Sequence, residues 1–299
     1  MIARAEADPL EALRHEQPEF RSWLRLLEAT RSEIDDPGYA DAVPESPPAR
    51  SAIPDARSGD APLVDGATFP MSGRALDRRI RSLLTIAAEA GASGSLAKAA
   101  RVRLLDAPAI LEAALAADRA RLDALAEGIG ADRDAFAPVA AVAAMPLLQA
   151  CARRWSSLVS ATWDHGYCPI CGAWPALAEA RGLERARCLR CTRCGGDWRT
   201  EWLRCPYCGN RHHLTLGPLV SEATAETRKA ETCGACRRYV KTVTTLTPTP
   251  ARDVSIQDLA TVDLDVGALA HGYHAAQGLG HAVSVRVTER ARPRLAWRP

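Results

Sequence analysis

The chain has 299 residues, 47% hydrophobic and 25% charged, a balance that supports packed cores and excludes a chain that is disordered throughout. Its formal charge of +2 gives no field strong enough to gather nucleic acid or anionic membrane onto the molecule as a whole. No stretch approaches the roughly 20 apolar residues of a membrane span, and residues 1–10 carry acids instead of a signal-peptide core; a cytoplasmic protein without membrane insertion is expected.

Behind Pro18, the residues Phe20, Trp23, Leu24, Leu27 and Ile34 fall on one helical face, which Asp35-Asp36-Pro37-Gly38 ends. Residues 36–72, with Pro44, Pro47, Pro48, Pro54 and Pro62, read as a long surface loop. Leu76, Ile80, Leu83, Leu84 and Ala87 predict a helix ending at Gly91, and a shorter helix spans Leu96 to Leu105. Ile110, Leu111, Ala114, Leu115, Leu122 and Leu125 carry the pattern to Gly128. The most apolar helix follows, through Val139, Val142, Ala143, Leu147, Cys151, Trp155, Leu158 and Val159. Pro146 should kink or restart it, because proline lacks an N–H and its ring clashes with the preceding turn. Ala and Leu dominate and there are only three Phe and five Tyr, so residues 1–163 are expected to form an all-α domain.

At Gly166 the texture changes to short segments, glycine-rich turns and paired cysteines, lasting to about Thr247. Eight of the ten cysteines form four CxxC pairs: Cys168 with Cys171, Cys191 with Cys194, Cys205 with Cys208, and Cys233 with Cys236. Two intervening residues let a tight turn aim both sulfurs at one ion, while backbone N–H groups face the thiolates. Pro169 and Pro206 fix φ for such a turn, and Gly172, Gly195 and Gly209 allow the left-handed exit. Two such knuckles supply four thiolates, the number that closes a tetrahedral site and leaves no position for substrate water. Pairing first with second and third with fourth needs the shorter closures; an interleaved pairing needs longer ones. The expected architecture is α+β and multidomain. A helical domain (1–163) leads to two tandem rubredoxin-like or zinc-ribbon modules (164–201 and 202–247). A C-terminal helix through Leu259, Val262, Val266, Leu269 and Tyr273 and a Gly- and Arg-rich tail complete it (248–299).

Other uses of these residues stand beside this one. A redox dithiol expects a single CxxC at a helix start in a βαβ context, which is absent here. Cys188 lies three residues before Cys191, so two registers are open for the second knuckle; Gly195 favours Cys191 with Cys194. Cys151, on an apolar face, reads as core. Arg187, Arg190, Arg193, Arg199, Arg204, Arg211, Arg237 and Arg238 could balance thiolate charge, or join Trp174, Trp198, Trp202 and Tyr207 in a nucleic-acid surface. Glu179, Glu184, Asp197, Glu201, Glu222, Glu226 and Glu231 dilute that surface, which favours charge balance. His165 with Asp164, His212, His213, His271, His274 and His281 lack the partners of an active site.

The motifs Cys168-Pro-Ile-Cys171-Gly-Ala-Trp-Pro175, Cys191-Thr-Arg-Cys194-Gly-Gly-Asp-Trp198, Cys205-Pro-Tyr-Cys208, Glu231-Thr-Cys233-Gly-Ala-Cys236 with Tyr239 and Lys241, and Asp258-Leu259-Ala260 resemble the formate dehydrogenase accessory protein FdhE family. The resemblance covers the second half firmly and the first loosely. It implies a cytoplasmic maturation factor and not an enzyme, one that binds the catalytic subunit of respiratory formate dehydrogenase before export. It implies two metal ions per chain, iron in rubredoxin-like sites, on the eight knuckle cysteines; four thiolates accept zinc equally. A zinc-ribbon nucleic-acid binder and a rubredoxin-type electron-transfer protein are the competing readings.

Overall fold

The computed structural model describes residues 9–48, 61–220 and 227–290; Pro54, Glu222, Glu226 and the tail beyond 290 lie outside the described residues. Short polar side chains set the helix starts of the first half. After α1 (Pro9–Glu16) and α2 (Arg21–Arg31), Asp36 accepts from the Gly38 N–H and opens α3 (Pro37–Ala42). The Asp-Pro-Gly run thus starts a helix as well as ending one, with proline at the position where a missing N–H is harmless. A short strand β1 (Thr68–Met71) follows. Ser72, Ser93, Asp106, Asp118 and Asp132 then cap α4 (Gly73–Glu89), α5 (Gly94–Ala99), α6 (Ala107–Leu115), α7 (Arg119–Gly128) and α8 (Arg133–Trp155). Each cap contributes about 1 kcal/mol. The helix expected to reach Leu105 stops at Ala99, and Leu104 is exposed.

Helix α8 is the axis of this half, packed against α2, α3, α4, α6 and α7. It runs unbroken through Pro138 and Pro146. Interior proline costs about 3 kcal/mol, but each fully buried neighbour such as Val142, Leu147 or Leu148 returns about 1.5–3 kcal/mol. By length and composition the stretch Arg133–Leu158 could cross a membrane, with a window of mean hydropathy 1.7, contrary to the expectation that no stretch comes close. That window is 78% buried inside the protein, so its apolar character is accounted for by neighbouring helices.

The cysteine-rich half contributes β2 (Leu177–Arg181), β3 (Ala186–Arg190), β4 (Asp197–Arg199), β5 (Leu216–Leu219), β6 (Arg228–Cys233) and β7 (Arg238–Thr245). Two antiparallel meanders, β2-β3-β4 and β5-β6-β7, join into one six-stranded sheet of order β4-β3-β2-β7-β6-β5. The seam is the parallel pair β2 and β7, in register from Leu177 opposite Lys241 to Arg181 opposite Thr245. The two cysteine units therefore share one continuous hydrogen-bonded layer.

Past the sheet, the single predicted C-terminal helix is two, α9 (Val254–Leu259) and α10 (Val262–Ala270). The expected buried stripe is also out of phase, because Val266 and Leu269 are exposed while Leu264 and Ala268 pack on Ala230 and Tyr239. A short helix apolar on most sides has no clear phase in sequence. Helix α9 packs through Ile256 on Leu10 and Leu13 of α1 and Leu24 of α2. In the tail, β8 (Arg286–Glu289) pairs in parallel with β1. The proline-rich stretch is likewise more than surface loop: Leu63 and Val64 are buried and donate to the carbonyls of Pro169 and Ile170.

Candidate metal centres

All four CxxC segments close the same turn. The N–H of the residue after the second cysteine donates to the first cysteine's carbonyl: Gly172 to Cys168, Gly195 to Cys191, Gly209 to Cys205 and Arg237 to Cys233, at 2.8–3.0 Å. That residue must adopt positive φ, and does so at 74°, 69°, 73° and 57° respectively. Glycine takes this conformation freely, whereas an L side chain costs about 1 kcal/mol or more there. The fourth turn is the exception, and Arg237 is anchored in compensation. Its guanidinium donates to the carbonyls of His271 and Gly272 and stacks 4.3 Å from the Tyr273 ring centroid.

These turns bring Cys168, Cys171, Cys191 and Cys194 together, and separately Cys205, Cys208, Cys233 and Cys236, with all four sulfurs of each group within 4.8 Å of one another. Across the knuckles, Cys168 lies 3.5 Å from Cys194, Cys171 3.5 Å from Cys191, Cys205 3.6 Å from Cys236 and Cys208 3.7 Å from Cys233. A disulfide would need about 2.05 Å. A tetrahedron with metal–sulfur bonds of about 2.3 Å has sulfur–sulfur edges of about 3.8 Å, so each group could hold one metal ion. The grouping is first knuckle with second and third with fourth; the interleaved set is not brought together.

The first cluster is wholly buried. Without a cation, hydrogen bonds from Cys168, Cys171 and Cys194 hold Cys191 well below the usual thiol range. Burial pushes Cys168 well above that range, and Cys194 is raised by hydrogen bonding to the other three. Burial of several thiolates in a dry pocket is costly, and a cation offsets that cost. The Gly196 N–H faces the Cys194 sulfur at 3.4 Å. The second cluster is shallower, with Cys208 exposed and Cys236 half-buried. Burial raises Cys205 and brings Cys236 up to about 11. At Cys233 burial also pushes upward, but the N–H of Cys236, the Asn210 amide, the N–H of Ala235 and Cys208 outweigh it and bring the thiol down to about 7. Asn210, 3.5 Å from the Cys233 sulfur, was not foreseen; its only sequence signal is its place two residues after Cys208.

Around the clusters, the arginines are largely committed internally. Arg190 donates to buried Glu179 and to the carbonyls of Gly195 and Thr249. Arg187 holds Glu231 at 2.7 Å and the carbonyls of Glu201 and Arg204. Arg193 reaches the carbonyls of Ala114 and Leu115 at the C-terminal end of α6, where a cation suits the helix dipole. Arg204 pairs with Asp164 and Arg211 with Glu201. Arg238 lies 5.8 Å from both the Trp174 and Tyr207 ring centroids, and Arg199 is exposed. Trp198 is buried and donates to the His165 carbonyl, so the residues considered for a nucleic-acid surface do not form one continuous face.

Tyr207, inside the third knuckle, donates to the carbonyls of Pro175 and Tyr239, and so latches the two units together. Gly166 permits the same approach, since a Cβ there would lie 1.6 Å from the Pro206 carbonyl oxygen. Cys188 sits on β3 opposite Glu179 and Arg199 and belongs to neither cluster; Cys151 is buried in α8. His212 stacks on His213, His165 stacks on Tyr167, and the ring nitrogens of His271 and His281 meet backbone carbonyls. Among the described residues no histidine joins either four-sulfur group.

Residues 203–279 match the family described as FdhE, C-terminal domain, a stretch that contains the whole second cluster. A protein named "Protein FdhE homolog" from Aquifex aeolicus is 31% identical over 114 residues, 37% of this chain and 40% of that protein. One of the same name from Shewanella baltica is 34% identical over 130 residues, 41% of this chain and 42% of that protein. The matched part thus spans under half of these relatives' length. The crystal structure of the FdhE protein from Pseudomonas aeruginosa superposes with a TM-score of 0.56 at 20% identity, over 91% of this chain and 92% of that one, which shows a shared fold. The chain is thus similar to FdhE proteins in sequence over residues 203–279 and in fold over 91% of its length.

Proposed function

We propose that this chain is an accessory factor needed to form active formate dehydrogenase. It binds that enzyme's catalytic subunit in the cytoplasm and performs no turnover of its own. The observation that carries the reading is the FdhE C-terminal domain match at residues 203–279, which coincides with one of two four-sulfur groups. The eight cysteines Cys168, Cys171, Cys191, Cys194, Cys205, Cys208, Cys233 and Cys236 each give one bond to an ion, and a site closed by four thiolates has no open position for a reacting ligand. That geometry favours binding over catalysis. When bound, the ions supply cross-links between sequence-distant turns. The chain's own residues do the rest: Tyr207 latches the units, Glu179 and Arg190 neutralise each other inside the sheet seam, and Arg237 ties the fourth knuckle to the segment after α10.

Iron and zinc both accept this donor set, and iron follows from the family resemblance. A visible absorption spectrum on protein purified without oxygen decides it, since ferric tetrathiolate is coloured and zinc is not. The functional reading is tested in a strain lacking the gene. Formate dehydrogenase activity should fall and return with the wild-type chain, and the catalytic subunit should co-purify with it. Full activity in the deletion strain, with no co-purification, would sink the proposal.

A further inference from the structure

One face of the β5-β6-β7 meander is covered by α10, through Leu264 and Ala268 on Ala230 and Tyr239. The opposite face, where Leu216 and Pro218 stand beside Cys233 and Glu231 in register, is only partly roofed by residues 202–207. Between roof and sheet lies a cavity of about 140 Å³. Trp202, Leu203, Tyr207, Leu216, Pro218 and Val240 give it apolar walls, and Cys205 and Cys233 of the second cluster also line it. A cavity of about 150 Å³ accommodates one benzene ring. Its mouth is marked by large apolar groups left in solvent, Trp202 at 40% and Leu203 at 62% exposure. Isolated exposed leucines are ordinary, but an apolar slot with an exposed aromatic rim has the form of an anchor pocket.

The charge around this slot is mostly positive. Arg187, Arg204, Lys229 and Arg238 line it against the single carboxylate of Glu231. Arg187 and Lys229 share Glu231, and Lys229 also lies 5.2 Å from the Trp202 ring centroid with a third of its side chain in solvent. The mouth is therefore cationic around an apolar interior.

We propose that this cavity is a docking slot for one aromatic side chain of a partner protein, presented on a segment whose neighbouring residues are acidic. The ring fills the space between Trp202 and the sheet. The flanking carboxylates meet Lys229 and Arg238, partly exposed cations of the lining, where complementary charge sets selectivity and rate of encounter. The inference rests on the partner-binding reading above in naming the natural occupant, the catalytic subunit of formate dehydrogenase; the slot itself follows from geometry and charge.

The test uses the full-length, metal-loaded chain. The Trp202 indole N–H resonance, identified by its loss in Trp202→Ala, is followed during titration with the peptide acetyl-Asp-Asp-Phe-Asp-Asp-amide, its lysine-flanked counterpart and a short single-stranded oligothymidine. The acidic peptide should shift this signal at millimolar concentration or below, and the other two should not. In parallel, Trp202→Ala and Lys229→Glu should weaken binding of the purified catalytic subunit at least tenfold while keeping two ions per chain. Leu183→Asp, at the exposed β2–β3 turn, should leave binding unchanged. A shifted signal with no catalytic-subunit binding by the wild-type chain would retain the slot and remove the formate dehydrogenase reading. No shift with the acidic peptide, together with subunit binding untouched by both variants, would overturn the slot. An equal or larger shift with the lysine peptide or the oligothymidine would overturn the acidic-partner assignment.

Discussion

The two cysteine clusters share a turn geometry and a sheet, yet differ in what surrounds them. The first is clamped by four segments distant in sequence. Leu63 and Val64 bond the first knuckle, Gly280 donates to the Gly172 carbonyl, α6 receives Arg193, and Ser255 donates to the Thr192 carbonyl. All four of its sulfurs belong to the main hydrophobic core. The second has the segment after α10 on one knuckle; the other meets Gly166 and Pro175 through Pro206 and Tyr207, but at its Gly209 nothing lies within 4 Å of where a side chain would begin. The same donor set can therefore serve as a keystone in one place and a local staple in another, according to how much of the fold converges on it.

The largest test of this contrast exchanges one sulfur in each cluster for oxygen. A structural tetrathiolate ion supplies about 10–16 kcal/mol of apparent binding energy, comparable to the whole stability of an ordinary domain. Cys171→Ser should remove the first ion and abolish cooperative unfolding of the whole chain, read by circular dichroism. Cys208→Ser should cost the second ion while the helical half keeps its melting transition. Equal damage from both would erase the distinction.

Next in size is the sheet seam. Glu179, 1% exposed, accepts from Arg190 and Arg181 and from the Thr249 N–H. Glu179→Ala leaves Arg190 buried without its carboxylate, and should cost about 3–5 kcal/mol in denaturant unfolding. A loss under about 1 kcal/mol would show that the seam relaxes around the charge.

The turn glycines sharpen the comparison further. Gly195 and Gly209 both hold positive φ, so alanine costs about 1 kcal/mol at either from backbone strain alone. At Gly195 the new methyl would also lie 2.5 Å from the Ala251 Cβ and 2.6 Å from its carbonyl oxygen. Thermal melts should show Gly195→Ala losing about 2–3 kcal/mol more than Gly209→Ala. Smallest is Arg237→Gly, where relief of strain opposes loss of the anchor to His271, Gly272 and Tyr273. Net stability should change by less than about 1 kcal/mol, while amide hydrogen exchange speeds up across residues 262–274. Unchanged exchange there would mean that Arg237 does not tie this segment down.

Much of this was legible in sequence because it is local. Two-residue cysteine spacing followed by glycine writes a turn into five residues, and the aliphatic stripe of Leu76, Ile80, Leu83, Leu84 and Ala87 writes α4 into twelve. What could not be read is long-range. The parallel pairing of β2 with β7 joins strands some sixty residues apart, and no periodicity encodes it. The pairing of β1 with β8 spans most of the chain. Leu63 and Val64 looked like loop because their burial depends on a knuckle a hundred residues away. Helix α10 was read on its wrong face because Val262, Leu264, Val266, Ala268 and Leu269 surround it, and only the sheet decides which side packs. Proline chemistry predicts a kink or restart at Pro146, and the burial of its neighbours along α8 overrides it.

The most direct measurement is elemental analysis of metal per chain, taken on protein purified without oxygen and repeated during timed exposure to a strong chelator while unfolding is followed. Two ions per native chain are expected, one leaving first from the shallow cluster with the helical half still folded, the other leaving only as the whole chain unfolds. Native protein with well under two ions, or a fold unchanged after both have been stripped, would contradict the account.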